Sequence, residues 1–542
     1  MSEPMTTRKS RALVVSAVVG TAILLTLAFA ISYGSLNQAT YLLDPLHRAI
    51  PELYHRDWFV SETPPYLPLF GFVAQWLFRI DPEGPTAVMA AHIAVTLATY
   101  LALYRLVQAV FDDWRVFVIL ACFVTVTMGR TLGGNYLVAG YLQPSSVATV
   151  GWVFAMAYFA RGRYLACGIA LALGGAFHAN FLVLGIGLFT LSLIARRDAK
   201  LVDHVKLLAP QLVVLAVFLP QLVGAAGPSA LAVRILVEFH APGHYAGSRL
   251  VVGIPALLVW QLAAFAALHL DDRVSPGMRA LWRFSLVTFA VATITSLVVM
   301  VPALESLTQV RWTRIAPFGQ LAAQVVVVAA LVRHAVDPQA TSPLRRAFIG
   351  LAIVVAVVET CHFVHAPLVA TIVAGACVVV LLALPRVARV ASFAIPAIAL
   401  VAALWGSPRG EGLTTAIAGG DTELELARWA RDHSDVDALF LVQPGAYRFR
   451  LLARRAVIVD TKSPPLQPDL LVDWYRRLCA MVDVADEKTH EAIEARYDQL
   501  TPAQLERVAR EFSADYIVVS SSVTLSGVIA YENRGFRVYR VP

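Results

Sequence analysis

Charge is what this sequence lacks. Only 15% of its 542 residues are Asp, Glu, Lys or Arg, where a soluble globular chain has about a quarter. With 58% hydrophobic residues, so few charges would leave a water-soluble protein of this size with large exposed apolar patches, and the same figures exclude a disordered chain. Cysteine is scarce as well. Cys122, Cys167, Cys361, Cys377 and Cys479 show no paired spacing and four lie in apolar runs, which argues against a disulfide framework or a metal cluster. Soluble-enzyme motifs are missing: there is no Gly-rich phosphate loop, no H-E-x-x-H pair, and Gly133-Gly134 fits no dinucleotide fingerprint. Nor is there an internal repeat or a low-complexity tract. What is present is apolar sequence, with a mean hydropathy of +0.66. This is the composition of a polytopic membrane protein.

The net charge of +7 divides unevenly. Residues 1–420 carry 28 basic against 18 acidic side chains, and 421–542 carry 16 against 19. The basic excess is spread over short loops, as expected of helices oriented against an anionic inner leaflet. It forms no clustered stripe of the kind nucleic acid requires, so no nucleic-acid partner is expected.

Arg8, Lys9 and Arg11 precede an apolar run to about Ile31. That run is too long for a signal peptide, so it reads as a retained first helix with its basic end cytoplasmic. Further apolar segments centre on 85–109, 116–129, 146–160, 164–178, 180–195, 207–225, 250–269, 283–302, 315–334, 346–363, 367–384 and 388–405, for about 13 spans in all. Alternation from an inner N-terminus puts the basic loops at Arg161–Arg163, Arg196–Lys200, Arg273–Arg283, Arg333–Arg346 and Arg386–Arg389 inside. The long loops 32–65, 130–145, 226–249 and 303–314 fall outside, as does everything after Trp405. The weak point is the tight pair 164–178 and 180–195, because fusing it into one span would reverse all that follows. The stretch 66–80, short and proline-broken, is expected to lie along the outer interface.

The expected fold is thus an all-α polytopic membrane domain over residues 1–405, followed by a small extracytoplasmic α/β domain over 406–542, in a bacterial inner membrane. In that tail Thr422–His433, Pro468–Val482 and a segment opened by Thr501-Pro502 have helical patterns. Ala438–Val442, Ala456–Val459 and Tyr516–Val519 read as strands, and Asn533-Arg534-Gly535 followed by Phe536–Val541 as a closing hairpin.

Polar residues pile up on the outer side. An outward-facing enzyme would need such a set, with a carboxylate to take a proton and cations to hold an anionic leaving group. Asp44 and Asp57, in the first outer loop, are the candidate catalytic carboxylates. Asp44 follows the first helix more closely, whereas Asp57 precedes the amphipathic Trp58-Phe59. The plainer alternatives are a turn or cap for Asp44, and for Asp57 a cap or a local ion pair with Arg56. His178 and Asn180 sit between two apolar segments, where polar groups are costly unless paired. Arg311 and Arg314, three apart after Gln309, suit a lipid phosphate or diphosphate. His240 and His244 have metal-like spacing weakened by the intervening Pro242-Gly243, so no metal site is assigned and a divalent cation stays an open possibility.

The layout resembles the GT-C superfamily of membrane glycosyltransferases, over nearly the full chain in architecture. Asp57-Trp58-Phe59-Val60 and Phe177-His178-Ala179-Asn180 are similar to stretches in uncharacterised bacterial members. Gln309, Arg311 and Arg314 resemble arginine-bearing segments that bind carrier phosphate. The paired acidic signature of several branches is lacking. The resemblance implies a sugar donor carried on polyprenyl phosphate, an envelope lipid, glycan or protein as acceptor, contact with membrane lipid, and a catalytic acid at Asp44 or Asp57. It also implies a substrate-binding role near Lys462, which follows Arg454, Arg455 and Asp460. Transport or flipping of a lipid, and a non-enzymatic role in envelope assembly, are the alternatives.

Overall fold

In a computed structural model, the structure describes residues 5–28, 31–64, 67–223, 229–269, 274–336, 342–363, 385–406, 421–465 and 467–541, with scattered positions between 365 and 378. Among these, six helices are long and apolar enough to cross a membrane, and seven shorter ones are apolar. The chain is therefore a polytopic helical membrane protein with a small C-terminal α/β domain, as expected from the sequence. The segment at 367–384 lies almost entirely outside the described residues.

The expected segments appear as separate helices, several of them opened by proline. Pro85–Gln108, Pro144–Ala160 and Pro276–Val298 each carry Pro in the first turn, where its missing N–H costs nothing and its φ already suits a helix. Ala316–Val336 is the central helix, buried from Ala316 to Ala335. The tight pair resolves into two helices, Tyr164–Phe177 and Ala179–Ile194, broken at His178 (φ −154°, ψ 98°). They run antiparallel: the Arg196 guanidinium, past the end of the second, lies 5.8 Å from the ring of Tyr164 at the start of the first. Helices Pro144–Ala160 and Tyr164–Phe177 cross closely because both contribute glycine. A Cβ on Gly151 would sit 2.5 Å from the Ala170 carbonyl oxygen, and one on Gly174 would sit 2.8 Å from that of Ala148.

The segment at 66–80 forms the helix Pro68–Ile80. Phe70, Ala74 and Phe78 are buried, while Phe72, Trp76 and Ile80 are exposed. A helix apolar on both its packed and its free face is suited to the membrane interface.

The C-terminal domain is a five-stranded mixed sheet of β1 (Leu439–Leu441), β2 (Ala456–Val457), β3 (Tyr516–Ser520), β4 (Val528–Glu532) and β5 (Phe536–Arg540), in the order β2-β1-β3-β5-β4. β1 pairs in parallel with β2 and β3, and β5 antiparallel with β3 and β4. Strand alternation gives the sheet two buried faces. Leu439, Leu441, Ile517 and Val519 pack under helices Pro468–Met481 and Pro502–Glu511. Phe440, Val442, Tyr516 and Val518 pack under Thr422–His433 and Tyr447–Ala453. The hairpin turns where the Asn533 side chain accepts from Gly535 N and Phe536 N, at 2.9 and 2.8 Å. Helices Tyr447–Ala453 and His490–Tyr497 add to the elements expected from the sequence.

Candidate functional site

A cavity of about 570 Å³ opens where three parts of the chain meet. The first loop supplies Asn37, Thr40 and Tyr41. The loops leading into membrane helices supply Asn135, Tyr136, His240, His244, Tyr245, Arg311 and Arg314. The C-terminal domain supplies Tyr447, Lys462, His490, Glu491 and Glu494.

The wall on the membrane-domain side is cationic. Arg314 Nη1 donates to His178 Nε2 (2.8 Å) and to Asn180 Oδ1 (3.3 Å), and Asn180 Nδ2 donates to the Val310 carbonyl (2.5 Å). A guanidinium can only donate, so His178 accepts through Nε2 and is neutral. His178 and Asn180 therefore hold one end of the Arg314 fork and leave the rest to the cavity. Arg311 and Arg314 do not lie on one regular helix face. Arg311 sits in the left-handed region (φ 50°, ψ 50°) between the 3₁₀ helices Pro302–Val310 and Trp312–Ile315, a conformation that costs a non-glycine residue about 1–2 kcal/mol. The bend brings its guanidinium 4.8 Å from the Tyr245 ring, and both arginines reach the same cavity.

Lys462 faces them from the loop after β2. Its backbone is fixed by the Thr40 hydroxyl, which donates to the Lys462 carbonyl at 3.0 Å, and by its own N–H to Asp460 Oδ1 at 2.8 Å. Burial lowers the pKa of the Lys462 ammonium, Asp460 opposes the shift, and Arg311 adds to it. His244, bonded through Nδ1 to the Gly133 carbonyl, is pushed down to about 3 by burial and by Arg311. His490 is lowered to about 4 by burial, with Lys462 adding to the shift and Glu491 opposing it. His240, whose ring lies 5.7 Å from that of His490, is pushed well below its ordinary value, chiefly by burial. Neutral imidazoles beside three cations make a pocket suited to an anion. Among the described residues, no three His, Cys, Asp or Glu side chains converge closely enough to hold a metal ion.

His240, His244, Arg311, Arg314 and Lys462 thus line one cavity, and His178 and Asn180 support it from behind. The other candidates lie elsewhere. Asp57 is fully buried: it caps helix Trp58–Glu62 through Val60 N (3.2 Å), accepts from Val457 N (3.2 Å) and pairs with Arg450 (3.0 Å). Its ion-pair partner is Arg450, and Arg56 pairs with Asp515 instead. Asp44 opens helix Leu43–Ala49, pairs with Arg48 at 3.0 Å and faces Gly71 of helix Pro68–Ile80. Burial raises its pKa, and Arg48 opposes the shift. Gln309 is not among the cavity residues. Arg455 is consumed by structure, donating to the Arg431 and Ser434 carbonyls and the Ser434 hydroxyl at the end of helix Thr422–His433. The polar residues missed in the sequence are Glu491, Glu494 and His490, together with the amide of Asn37, whereas Asn135 and Gln143 belong to the polar residues expected on the outer side.

Comparison with known proteins places this geometry in a structural context. Residues 421–481 match a family model described as a domain of unknown function, DUF6798. No curated protein sequence matches the chain. Among solved structures, ArnT from Cupriavidus metallidurans bound to undecaprenyl phosphate is similar over 98% of each chain, with a TM-score of 0.51 and 12% identity. The same protein in the apo state matches at 0.48 and 13% identity, again over 98% of each chain. The arabinosyltransferase EmbB from Mycobacterium smegmatis matches at 0.44 and 14% identity, over 75% of this chain and 42% of that one. At 12% identity the likeness to the lipid-bound ArnT is one of fold alone, over the polytopic helical domain and the small α/β domain that follows it.

Proposed function

We propose that this chain is a glycosyltransferase that takes a sugar from a polyprenyl-phosphate carrier and passes it to an envelope lipid, glycan or protein on the outer face of a bacterial inner membrane. In this reading the N-terminus is cytoplasmic and the C-terminal domain extracytoplasmic, as the short basic loops suggest. The observation that carries the proposal is the placement of Arg311, Arg314 and Lys462 around one cavity between the membrane domain and the C-terminal domain. A carrier phosphate anchored by its lipid tail would meet the two arginines at headgroup depth, and ArnT, which shares the fold, has been captured with undecaprenyl phosphate.

The arginines bind the phosphate and stabilise the charge that grows on its oxygen as the glycosidic bond breaks. His178 and Asn180 keep Arg314 oriented, and Lys462 adds a third cation from the opposite wall. The amides of Asn37, Asn135 and Gln143 and the phenol of Tyr136 are suited to sugar hydroxyls. Asn37 and Gln143 are already joined at 2.9 Å, and Gln143 donates to Tyr136 at 3.1 Å.

The test is turnover. Full-length protein in lipid nanodiscs, given a lipid extract of the native envelope and its membrane glycan fraction, should consume a polyprenyl-phosphate sugar and release free polyprenyl phosphate, followed by mass spectrometry. Release that is absent, or unchanged in Arg311→Ala/Arg314→Ala, would refute the proposal.

A further inference from the structure

Transfer of a sugar to a hydroxyl needs a group to take the hydroxyl proton, and the two aspartates of the first loop are engaged elsewhere. Asp57 lies in a buried ion pair and Asp44 faces Gly71. Among the described residues, the carboxylates that do line the cavity are Glu491 and Glu494, one turn apart on the C-terminal domain helix His490–Tyr497. From the geometry we infer that Glu494 is the general base of the transfer. The inference rests on the glycosyltransferase reading above.

Position argues for it first. Arg311 and Arg314, the two arginines assigned to the donor phosphate, come from the membrane domain, and Glu494 comes from the C-terminal domain that lines the same cavity. A sugar carbon bonded to the phosphate would lie between the two.

Availability is the second argument. Among the described residues, no hydrogen bond or ion pair engages the Glu494 carboxylate, in contrast to the paired Asp44 and Asp57. Glu494 is half-buried, and its pKa is raised by burial, with further contributions from Glu491 and Asp498. Raising the pKa of a carboxylate makes its ionised form a better proton acceptor.

The third argument is a built neighbour. Gly445, in the turn after β1, lies directly against this carboxylate: a Cβ added there would stand 2.6 Å from Glu494 Cδ and Oε1. The Glu494 carboxylate thus rests against the bare backbone of this turn, and a side chain there would push it aside.

The step balances as a displacement. The acceptor oxygen forms a bond to the anomeric carbon and its proton passes to a Glu494 oxygen. The bond from the anomeric carbon to the phosphate oxygen breaks, its electron pair staying on polyprenyl phosphate between Arg311 and Arg314. The proton then leaves Glu494 for water.

The experiment uses full-length protein in nanodiscs, the lipid extract and glycan fraction named above, and undecaprenyl phosphate as a binding probe. Glu494→Gln should lower kcat at least a hundredfold, within the range typical of a lost general base. KM for the lipid donor and affinity for undecaprenyl phosphate should stay at wild-type values, which also reports a folded cavity. Glu494→Asp should restore part of the rate. Gly445→Ala, which removes no functional group, should lower kcat by displacing the carboxylate. Wild-type turnover kept by Glu494→Gln would overturn the assignment alone, whereas a wild type that turns nothing over would remove the transferase reading itself.

Discussion

Arg450 Nη1 stands 3.0 Å from Asp57 Oδ1, with neither side chain more than 2% exposed. This pair joins the first loop to the C-terminal domain across 393 residues of sequence. Arg450 Nη2 also donates to Asp460 and Ser463, each at 2.5 Å, and its carbonyl accepts from the Tyr54 hydroxyl at 3.0 Å. The same network holds Lys462 in place, because Asp460 Oδ1 accepts from the Lys462 and Ser463 N–H groups. Docking of the domain and shaping of the cavity are therefore one set of bonds.

Asp57→Ala should destabilise the folded protein strongly. Asp460 would still pair with Arg450, but the Val60 and Val457 N–H groups and Arg450 Nη1 would lose their acceptor, at about 1–3 kcal/mol for each buried donor left unsatisfied. Thermal unfolding should shift down, and limited proteolysis should release the C-terminal domain sooner. Asp57→Asn should cost less, since an amide oxygen can still accept from Val60 N.

Arg314→Ala should weaken undecaprenyl phosphate binding by about tenfold or more, as expected for loss of a charge-assisted bond of about 1.5–3 kcal/mol. Arg314→Lys should not restore it. A lysine cannot bond His178 and Asn180 and still present a planar fork to phosphate. His178→Ala should give an intermediate loss, measured by the same titration.

Acidification should lower stability. His244 and His490 have pKa values of about 3 and about 4 in the fold, against an ordinary 6.5. Below pH 6.5 the unfolded chain takes up protons that the folded chain refuses, so stability present above that pH falls towards pH 4. Each histidine contributes up to about 1.4 kcal/mol per pH unit across its window. The melting temperature should decline from pH 7 to pH 5, and His490→Asn should flatten the decline. An equal slope in that variant would contradict the assignment.

Gly174→Val should disrupt the membrane domain without touching the cavity. Its Cβ alone would meet the Ala148 carbonyl oxygen at 2.8 Å and Gly151 Cα at 3.2 Å. Overpacking of this kind costs about 1–3 kcal/mol, visible as a lower melting temperature in nanodiscs.

Much of the membrane domain is legible in sequence because each helix announces itself by an apolar run and often by a proline at its start. In the C-terminal domain, Thr501 and Gln504 form the capping box that opens Pro502–Glu511, a local signal. Helix Tyr447–Ala453 gives no such sign, since Arg448 and Arg450 interrupt its apolar pattern and Arg450 is buried only because Asp57 and Asp460 receive it.

The site is legible on its cationic side and obscure on its acidic one. Arg311, Arg314 and Lys462 stand out as charges at helix ends or beside other basic residues. Glu491 and Glu494 belong to His490-Glu-Ala-Ile-Glu-Ala-Arg-Tyr, which has the look of an ordinary solvated helix, and only tertiary docking turns that face to the cavity. Asp57 and Arg455 mislead for the opposite reason. Their charges look free in sequence but are consumed by partners that are distant, as Arg450 is, or made of backbone, as at Ser434.

The most direct test of the central claim is a cryo-EM structure of the full chain in nanodiscs with undecaprenyl phosphate. The account predicts phosphate density within hydrogen-bonding distance of both Arg311 and Arg314, in the cavity below Glu494. Phosphate density at any other place on the protein, with this cavity empty, would contradict it.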